Sequence, residues 1–417
     1  MENKGKSRYV LVAVAMACLI GICYGMLINI GGLFFTPIAD EFGVGRGTVA
    51  LTLTITTLVE AVAGVVVAKI INVKNFKLVI LAGLVLTAGG SVLLAVSSNL
   101  MLLYVFSAAR GFGGGLIGAV TVTKCINNWF NERRGTITSL AMGFSGIVGA
   151  VVTQILNPVI TSSGWRTGYM VSAGIILVLG LPSILFPIAM EPQKAGMEPL
   201  GGVKEAAAKA DSTTSSGSIN GVLYGIMIIY AILVTFTPAI VQHFPGLATS
   251  YGMSEALGAT MLSICMIVNT VGKIVFGLLN DAIGTRRSLL LYSVLIIAGF
   301  LLIMLLHSGP SLLTSSALIG LAYTLSTVGV VMLVQSIFGT ANYGRVYPVV
   351  NLCLTIANAF GTSVIGYLYD FSGGYILPLT VIIAFLVGSV VLQIVMFTSK
   401  NAALNKSAVQ ANEHAAA

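Results

Sequence analysis

Three ionisable residues stand inside long apolar runs: Glu60, Arg110 and Lys273. Charges in such surroundings are expensive and are ordinarily retained for function. Desolvation favours the protonated form of a carboxyl group, so Glu60 is a candidate proton carrier. An equal alternative is a structural carboxylate held by Arg110. Arg110 itself reads as a coupling or structural residue rather than a ligand contact. Lys273 can pair with an anion, or its stem can lie along apolar surface while the ammonium reaches an aqueous interface. Asn269 lies one turn before Lys273 on the same helical face. Tyr24, Asn29, Tyr224 and Tyr323 can wall or hydrogen-bond a small anion, although packing accounts for each tyrosine equally well. Enzymatic chemistry has little to work with. The three histidines, His243, His307 and His414, form no HExxH, and no paired carboxylates lie inside the apolar runs. The five cysteines, Cys18, Cys23, Cys125, Cys265 and Cys353, form no CxxC and read as packing residues. The expectation is therefore no enzyme, no metal and no cofactor.

The elements that must hold these residues follow from composition. Of 417 residues, 57% are hydrophobic and 8% charged, and mean hydropathy is +0.99. Soluble domains carry roughly a quarter charged residues. A helix needs about 20 apolar residues to cross the hydrocarbon. Such runs are placed at about 9–36, 48–70, 78–97, 101–125, 135–160, 168–190, 219–243, 254–279, 288–307, 311–335, 344–370 and 375–398. The chain thus reads as an all-α polytopic membrane protein with 12 transmembrane helices in two six-helix halves. Residues 1–190 form the first bundle, 191–218 a cytoplasmic central loop, 219–400 the second bundle and 401–417 a cytoplasmic tail. The first run follows a basic start and reads as a retained span. Lys204–Lys209 in the central loop reads as a short surface helix.

Charge fixes the orientation. With the N-terminus inside, 17 of the 21 Lys and Arg fall in cytoplasmic segments. Arg46 and Arg166 alone fall in outer loops, and Arg110 and Lys273 within spans. That asymmetry follows the positive-inside rule, so the net charge of +8 is a topology signal and nucleic acid need not be invoked. The expected location is the cell inner membrane, multi-pass, with both termini cytoplasmic. Asp370, near the outer end of span eleven, reads as interfacial.

The halves echo one another. Phe35-Thr36-Pro37 recurs as Phe236-Thr237-Pro238, Gly135 as Gly344 and Gly164-Trp165 as Gly374-Tyr375, at offsets of 201, 209 and 210 residues. Parallel repeats of this kind mark transporters with a midplane site between the halves. Span five carries a small-residue stripe, Gly143, Gly146 and Gly149, suited to close helix packing.

The loop after span eight reads Gly277-Leu-Leu-Asn-Asp281-Ala-Ile-Gly284-Thr-Arg286-Arg287, which resembles the loop signature of the major facilitator superfamily. The resemblance implies a gate in which Asp281 pairs with the following arginine and a neighbouring helix N-terminus. The equivalent loop after span two, Lys69 to Lys77, lacks the Asp and the Gly. Arg110-Gly-Phe-Gly113-Gly114-Gly115 is similar to the superfamily's fourth-helix motif. No strand precedes it, so a nucleotide-binding reading is rejected. Phe35 to Gly47, Trp129 to Gly135, Gly164-Trp165-Arg166 and Ile337 to Arg345 together resemble the monocarboxylate porter and oxalate/formate antiporter group.

That resemblance implies a secondary transporter of a small organic anion. The position of Lys273, eight residues before Asp281, is one where the group carries a cation facing substrate. Lysine keeps the charge without the bidentate fork of arginine. A second cation of the oxalate exchanger falls at Val350 here, which favours a monocarboxylate. The leading expectation is proton-coupled monocarboxylate transport by alternating access. The alternative is carboxylate/carboxylate antiport, with a counter-anion in place of the proton. A drug exporter is disfavoured because span five lacks the Gly-Pro pair of proton-driven exporters. The partners expected are the anion, a proton or counter-anion and the lipid bilayer, and a monomer suffices.

Overall fold

The computed structural model describes residues 2–132, 134–186, 188–201 and 220–416. The proposed helix at Lys204–Lys209 lies outside them. Helices account for nearly all of the described chain, and eleven are long and apolar enough to cross a membrane. One of the eleven, Arg134–Leu185, has 52 residues. At about 1.5 Å per residue it is over twice the hydrocarbon thickness of roughly 30 Å. It bends at Gly164, where φ is 83° and ψ 163°. Glycine tolerates that conformation without the Cβ clash of other residues, and the bend makes two antiparallel spans. The crossings among the described residues therefore number twelve.

They are α1 (Glu2–Ile20, Gly21–Asn29 and Gly32–Phe42), α2 (Arg46–Ile70), α3 (Phe76–Ala95) and α4 (Leu100–Ile117 and Ala119–Trp129). The arms before and after Gly164 are α5 and α6. The second half has α7 (Gly221–Phe236, Thr237–His243 and Phe244–Ser250), α8 (Glu255–Ile283), α9 (Thr285–Leu305) and α10, which starts at Gly309–Gly320 and runs to a kink at Gly339. Then come α11 (340–372) and α12 (Ile376–Ala416). Caps mark many ends. Asn99, Asn220, Ser254 and Ser308 accept hydrogen bonds from the first turns of α4, α7, α8 and α10, satisfying amides that lack helical partners.

Buried side chains fall into two clusters. One gathers residues from Val12 to Met190, and the other residues from Met227 to Phe397. Only Ala259 and Ala150 belong to the opposite half's cluster. The segment after α6 is strapped to the first half. Trp129 Nε1 donates to Ala189 O (2.8 Å), Asn128 Nδ2 to Met190 O (3.1 Å) and Tyr9 Oη to Glu198 O (2.6 Å).

Regular helix is lost inside α1, α4, α7 and α10. Residues Gly21–Asn29 of α1 and Leu325–Gly329 of α10 are π-helical. Thr237–His243 of α7 tightens to a 3₁₀ helix, and α4 breaks at Gly118. Irregular turns leave backbone groups to be satisfied by side chains and often accompany functional sites. Their recurrence at every third span matches a three-helix unit repeated within each half.

Candidate translocation site

The seam between the halves is closed by hydrogen bonds from the Arg46 end down to the middle. Asp370 of α11 accepts from the backbone amides of Arg46 (3.0 Å) and Gly47 (2.9 Å) at the N-terminus of α2. Arg46 Nη1 donates to Gly246 O (3.2 Å) and Tyr375 Oη (2.9 Å), and its guanidinium lies 4.5 Å from the Tyr369 ring centroid. Thr54 of α2 donates to Ala359 O of α11 (2.6 Å) and lies 2.7 Å from Ser363 Oγ. Gln242 of α7 accepts from Gly32 N (2.9 Å) and donates to Asn29 O (3.4 Å), both in α1. Between α5 and α8, Gln154 donates to Ser263 (2.9 Å) and Thr270 to Gly143 O (3.3 Å). Gly143 and Gly146 of the small-residue stripe meet Thr270, whereas Gly149 meets Asn29.

Thr270 is the last residue of α8 with a hydrogen bond across the seam among the described residues, and the more exposed surface beyond it, toward Asp281, is the gap. Lys273 is the next residue along that face of α8. It is half-buried and has no hydrogen bond or ion pair among the described residues. Asn269, one turn back, is 8% exposed and its Oδ1 is buried without a partner. On α11 Asn351 and Asn358 are exposed and Thr355 is half-buried, on a face turned from the contact residues Ala359 and Ser363. Lys273 thus stands on α8, and this face of α11 carries the neutral hydrogen-bonding groups of Asn351, Thr355 and Asn358.

Val350 departs from expectation. It is fully buried in the core of the second half, because a helix turns about 100° per residue and that position points away from the seam. The exposed neighbour is Asn351. The absence of a second cation is therefore a property of Asn351, Thr355 and Asn358, not of Val350. These three residues were not singled out in the sequence. Their spacing of four and three on an otherwise apolar span was the available signal.

In the first half, Glu60 points into the bundle. It is 8% exposed, its Oε1 accepts from Cys23 Sγ at 3.0 Å, and its Oε2 is buried without a partner. It is not paired with Arg110, which removes the ion-pair alternative. The reason is register: α2 and α4 run side by side with Gly111 against Thr56 and Gly115 against Glu60, so Arg110 sits more than a turn away. Arg110 Nη2 donates instead to Met26 O of the π-helix (2.9 Å), and its guanidinium lies 5.7 Å from the Tyr169 ring centroid. A carbonyl in the irregular turn of α1 is thus satisfied by the intramembrane arginine.

The remaining candidates are divided. Asn29 is tied to Ser145 O (3.3 Å) and belongs to the α1–α5 contact. Tyr24 is half-buried in the π-helix, next to Cys23 and close enough to Glu60 to interact with it. Tyr323 lies within hydrogen-bonding reach of Gln242, at the floor of the closed seam. Tyr224 meets Phe338 edge-on at 6.4 Å. In the loop motif, Asp281, Gly284, Arg286 and Arg287 are exposed and Gly277 is half-buried. Asp281 makes no ion pair among the described residues, as expected of a lock whose two sides have separated.

Two of the motif stretches meet. Glu41 accepts from Trp165 Nε1 (2.6 Å) and from Arg166 Nη1 (2.5 and 2.7 Å). Arg166 Nη2 also donates to Ser97 O (3.2 Å). This cluster ties three loops of the first half together, and Trp165 also meets Tyr169 edge-on at 6.1 Å. The Arg166 guanidinium holds the Glu41 carboxyl below its ordinary range.

Two six-helix bundles joined by a seam that is closed at one end and parted at the other define a membrane transporter. The chain belongs to the Major Facilitator Superfamily, whose family model matches residues 17–362 and again 225–415. Among relatives, it is 24% identical over 405 residues to the uncharacterized MFS-type transporter YcxA of Bacillus subtilis, covering 89% of this chain and 91% of the relative. It is 21% identical over 392 residues to monocarboxylate transporter 12 of Rattus norvegicus, covering 87% and 80%. A crystal structure of a bacterial homolog of the human lysosomal transporter Spinster, in an inward-facing and occupied conformation, shares the fold. Its TM-score is 0.68 at 14% identity, with 95% of this chain and 97% of that chain covered.

Proposed function

We propose that this transporter moves a small monocarboxylate, coupled to a proton, by rocking its halves about the gap at Lys273. The observation that carries the reading is Lys273 itself. It is a cation without a counter-charge among the described residues, placed where the closed seam ends and the gap begins. A carboxylate entering the gap gains a charge-assisted hydrogen bond there. Asn269 and the α11 stripe supply neutral contacts and no second cation, which suits a single carboxylate.

Glu60 is the proposed proton carrier. It is buried, has no cation partner among the described residues and is contacted by a weak thiol donor. Its neighbours Cys23 and Tyr24 lie in the irregular turn of α1, which also reaches the seam through Asn29 and Gly32. A proton gained or lost at Glu60 therefore acts on a segment touching both halves. The excess of Lys and Arg at the Asp281 end supports placing that end in the cytoplasm. The structure is then cytoplasm-facing, in the cell membrane, with both termini inside.

The test is uptake of labelled monocarboxylates into proteoliposomes under an imposed proton gradient, with Lys273→Ala and Glu60→Gln alongside. Lys273→Ala abolishes gradient-driven uptake. Glu60→Gln removes the response to the gradient. Uptake that needs trans carboxylate and ignores the gradient in the unmodified protein would assign carboxylate exchange instead. Uptake unchanged in Lys273→Ala would remove the anion contact.

A further inference from the structure

His243 belongs to none of the machinery described so far, yet it sits in the seam. It lies in the 3₁₀ turn of α7 and is 1% exposed. Its Nε2 is 2.9 Å from Thr362 O, so that nitrogen carries the proton and donates; Nδ1 is the bare acceptor, buried without a partner. Across the seam its ring meets Phe35 of α1 at 5.5 Å, and within its own half Tyr375 at 6.1 Å.

The charged and titratable groups around it do not favour a second proton. From α2, Arg46 is close enough to act on the imidazole. From α11, Asp370 has both oxygens engaged by the amides of Arg46 and Gly47, and Thr362 offers a carbonyl to Nε2 only. From the start of α12, the Tyr375 hydroxyl is held by Arg46. Gln242, next to it, is bonded to α1. An imidazolium here would place an unpaired N–H and a second positive charge in a dry seam beside a guanidinium.

Opening the Arg46 end removes Phe35 and Arg46 from α7 and lets water reach the ring. We infer that His243 is a proton-binding site which is empty while the Arg46 end is closed and fills when it opens. Acid on that side therefore holds that end open, through linkage between proton binding and conformation. The inference does not depend on which solute is carried.

The test uses the full-length protein in detergent, where both ends see one pH. Spin labels are placed at Ser162→Cys and Ser250→Cys, exposed positions on opposite halves at the Arg46 end, with Cys353→Ser in the background. Between pH 7.5 and 5.5 the long-distance population grows, by up to about tenfold per unit below the ordinary imidazole value of about 6.5. In His243→Gln, whose amide can still donate to Thr362 O, the growth is several-fold smaller, and in a Glu60→Gln background it is absent. Equal growth in His243→Gln, or no growth in the unmodified sequence, overturns the inference. Should the variant fail to fold, histidine C2-hydrogen exchange on the unmodified protein decides. His243 must exchange far more slowly than exposed His307 at pH 7.5 and approach it at pH 5.5; exchange like His307 throughout overturns the inference.

Discussion

The two ends of the seam use the same chemistry in opposite states. At one, the Asp370 carboxylate caps the N-terminus of α2, Arg46 reaches across to Gly246 and Tyr375, and backbones touch through glycine. At the other, Asp281 with Arg286 and Arg287 is exposed and idle. Each end has an acid, an arginine and a helix N-terminus. The difference teaches that a charged lock stabilises only the state in which its partner surface is present. An alternating-access protein needs one lock at each end, and the two must not be open together.

The comparison breaks most sharply at the glycines. A Cβ on Gly47 would strike the Tyr367 backbone and ring, and one on Gly366 the backbone of Gly47. Gly47→Leu therefore prevents closure of the Arg46 end. Overpacking of this kind costs about 1–3 kcal/mol, enough to make the open form dominant and to stop transport. Thiol labelling of Ser363→Cys, which lies in the closed seam, should rise by about tenfold or more. Unchanged labelling would mean that this contact does not hold the end shut.

The carboxylates should act with opposite signs. Asp370→Asn loses charge in two hydrogen bonds of the closed end. Charge-assisted bonds are worth about 1.5–3 kcal/mol when sheltered and less at an aqueous end, so a shift of about tenfold toward the open Arg46 end is expected. Asp281→Asn removes nothing made in the present state and weakens the opposite closure. It should shift the population the other way, by a few-fold. Distance measurements across both ends check the pair; shifts of the same sign would dissolve the symmetry.

Much of this architecture was legible in the sequence. Apolar runs, the distribution of Lys and Arg and the repeat offsets gave the spans and halves, because bilayer thickness and translocation cost act on local composition. The site was only half legible. Lys273 and Asn269 share a face through spacing within one helix, which a sequence displays. The partners of Glu60 and Arg110 depend on the register of α2 against α4, which no local pattern records. Asp370 read as merely interfacial because its partner amides lie in another half of the chain. Val350 was assigned a role by alignment to a resemblance, while helix phase turned it into the core and left Asn351 exposed.

The smallest expected effect lies outside the seam and tests whether loop clusters belong to the locks at all. Glu41 and Arg166 lie at the same end as Arg46 but within one half, and their side chains are 41% and 42% exposed. Exposed pairs contribute under about 1 kcal/mol after solvent screening. Because Arg166 lowers the Glu41 carboxyl below its ordinary range, the stabilisation is present above the unfolded carboxylate value of about 4.3 and is lost as pH falls through the lower folded value. Glu41→Gln should therefore lower thermal stability slightly at pH 7 and leave it unchanged once both proteins are acidified below that range. It should leave the distances across both ends alone. A shift in the open population of the Arg46 end, comparable with that of Asp370→Asn, would show instead that the loop cluster is part of the lock.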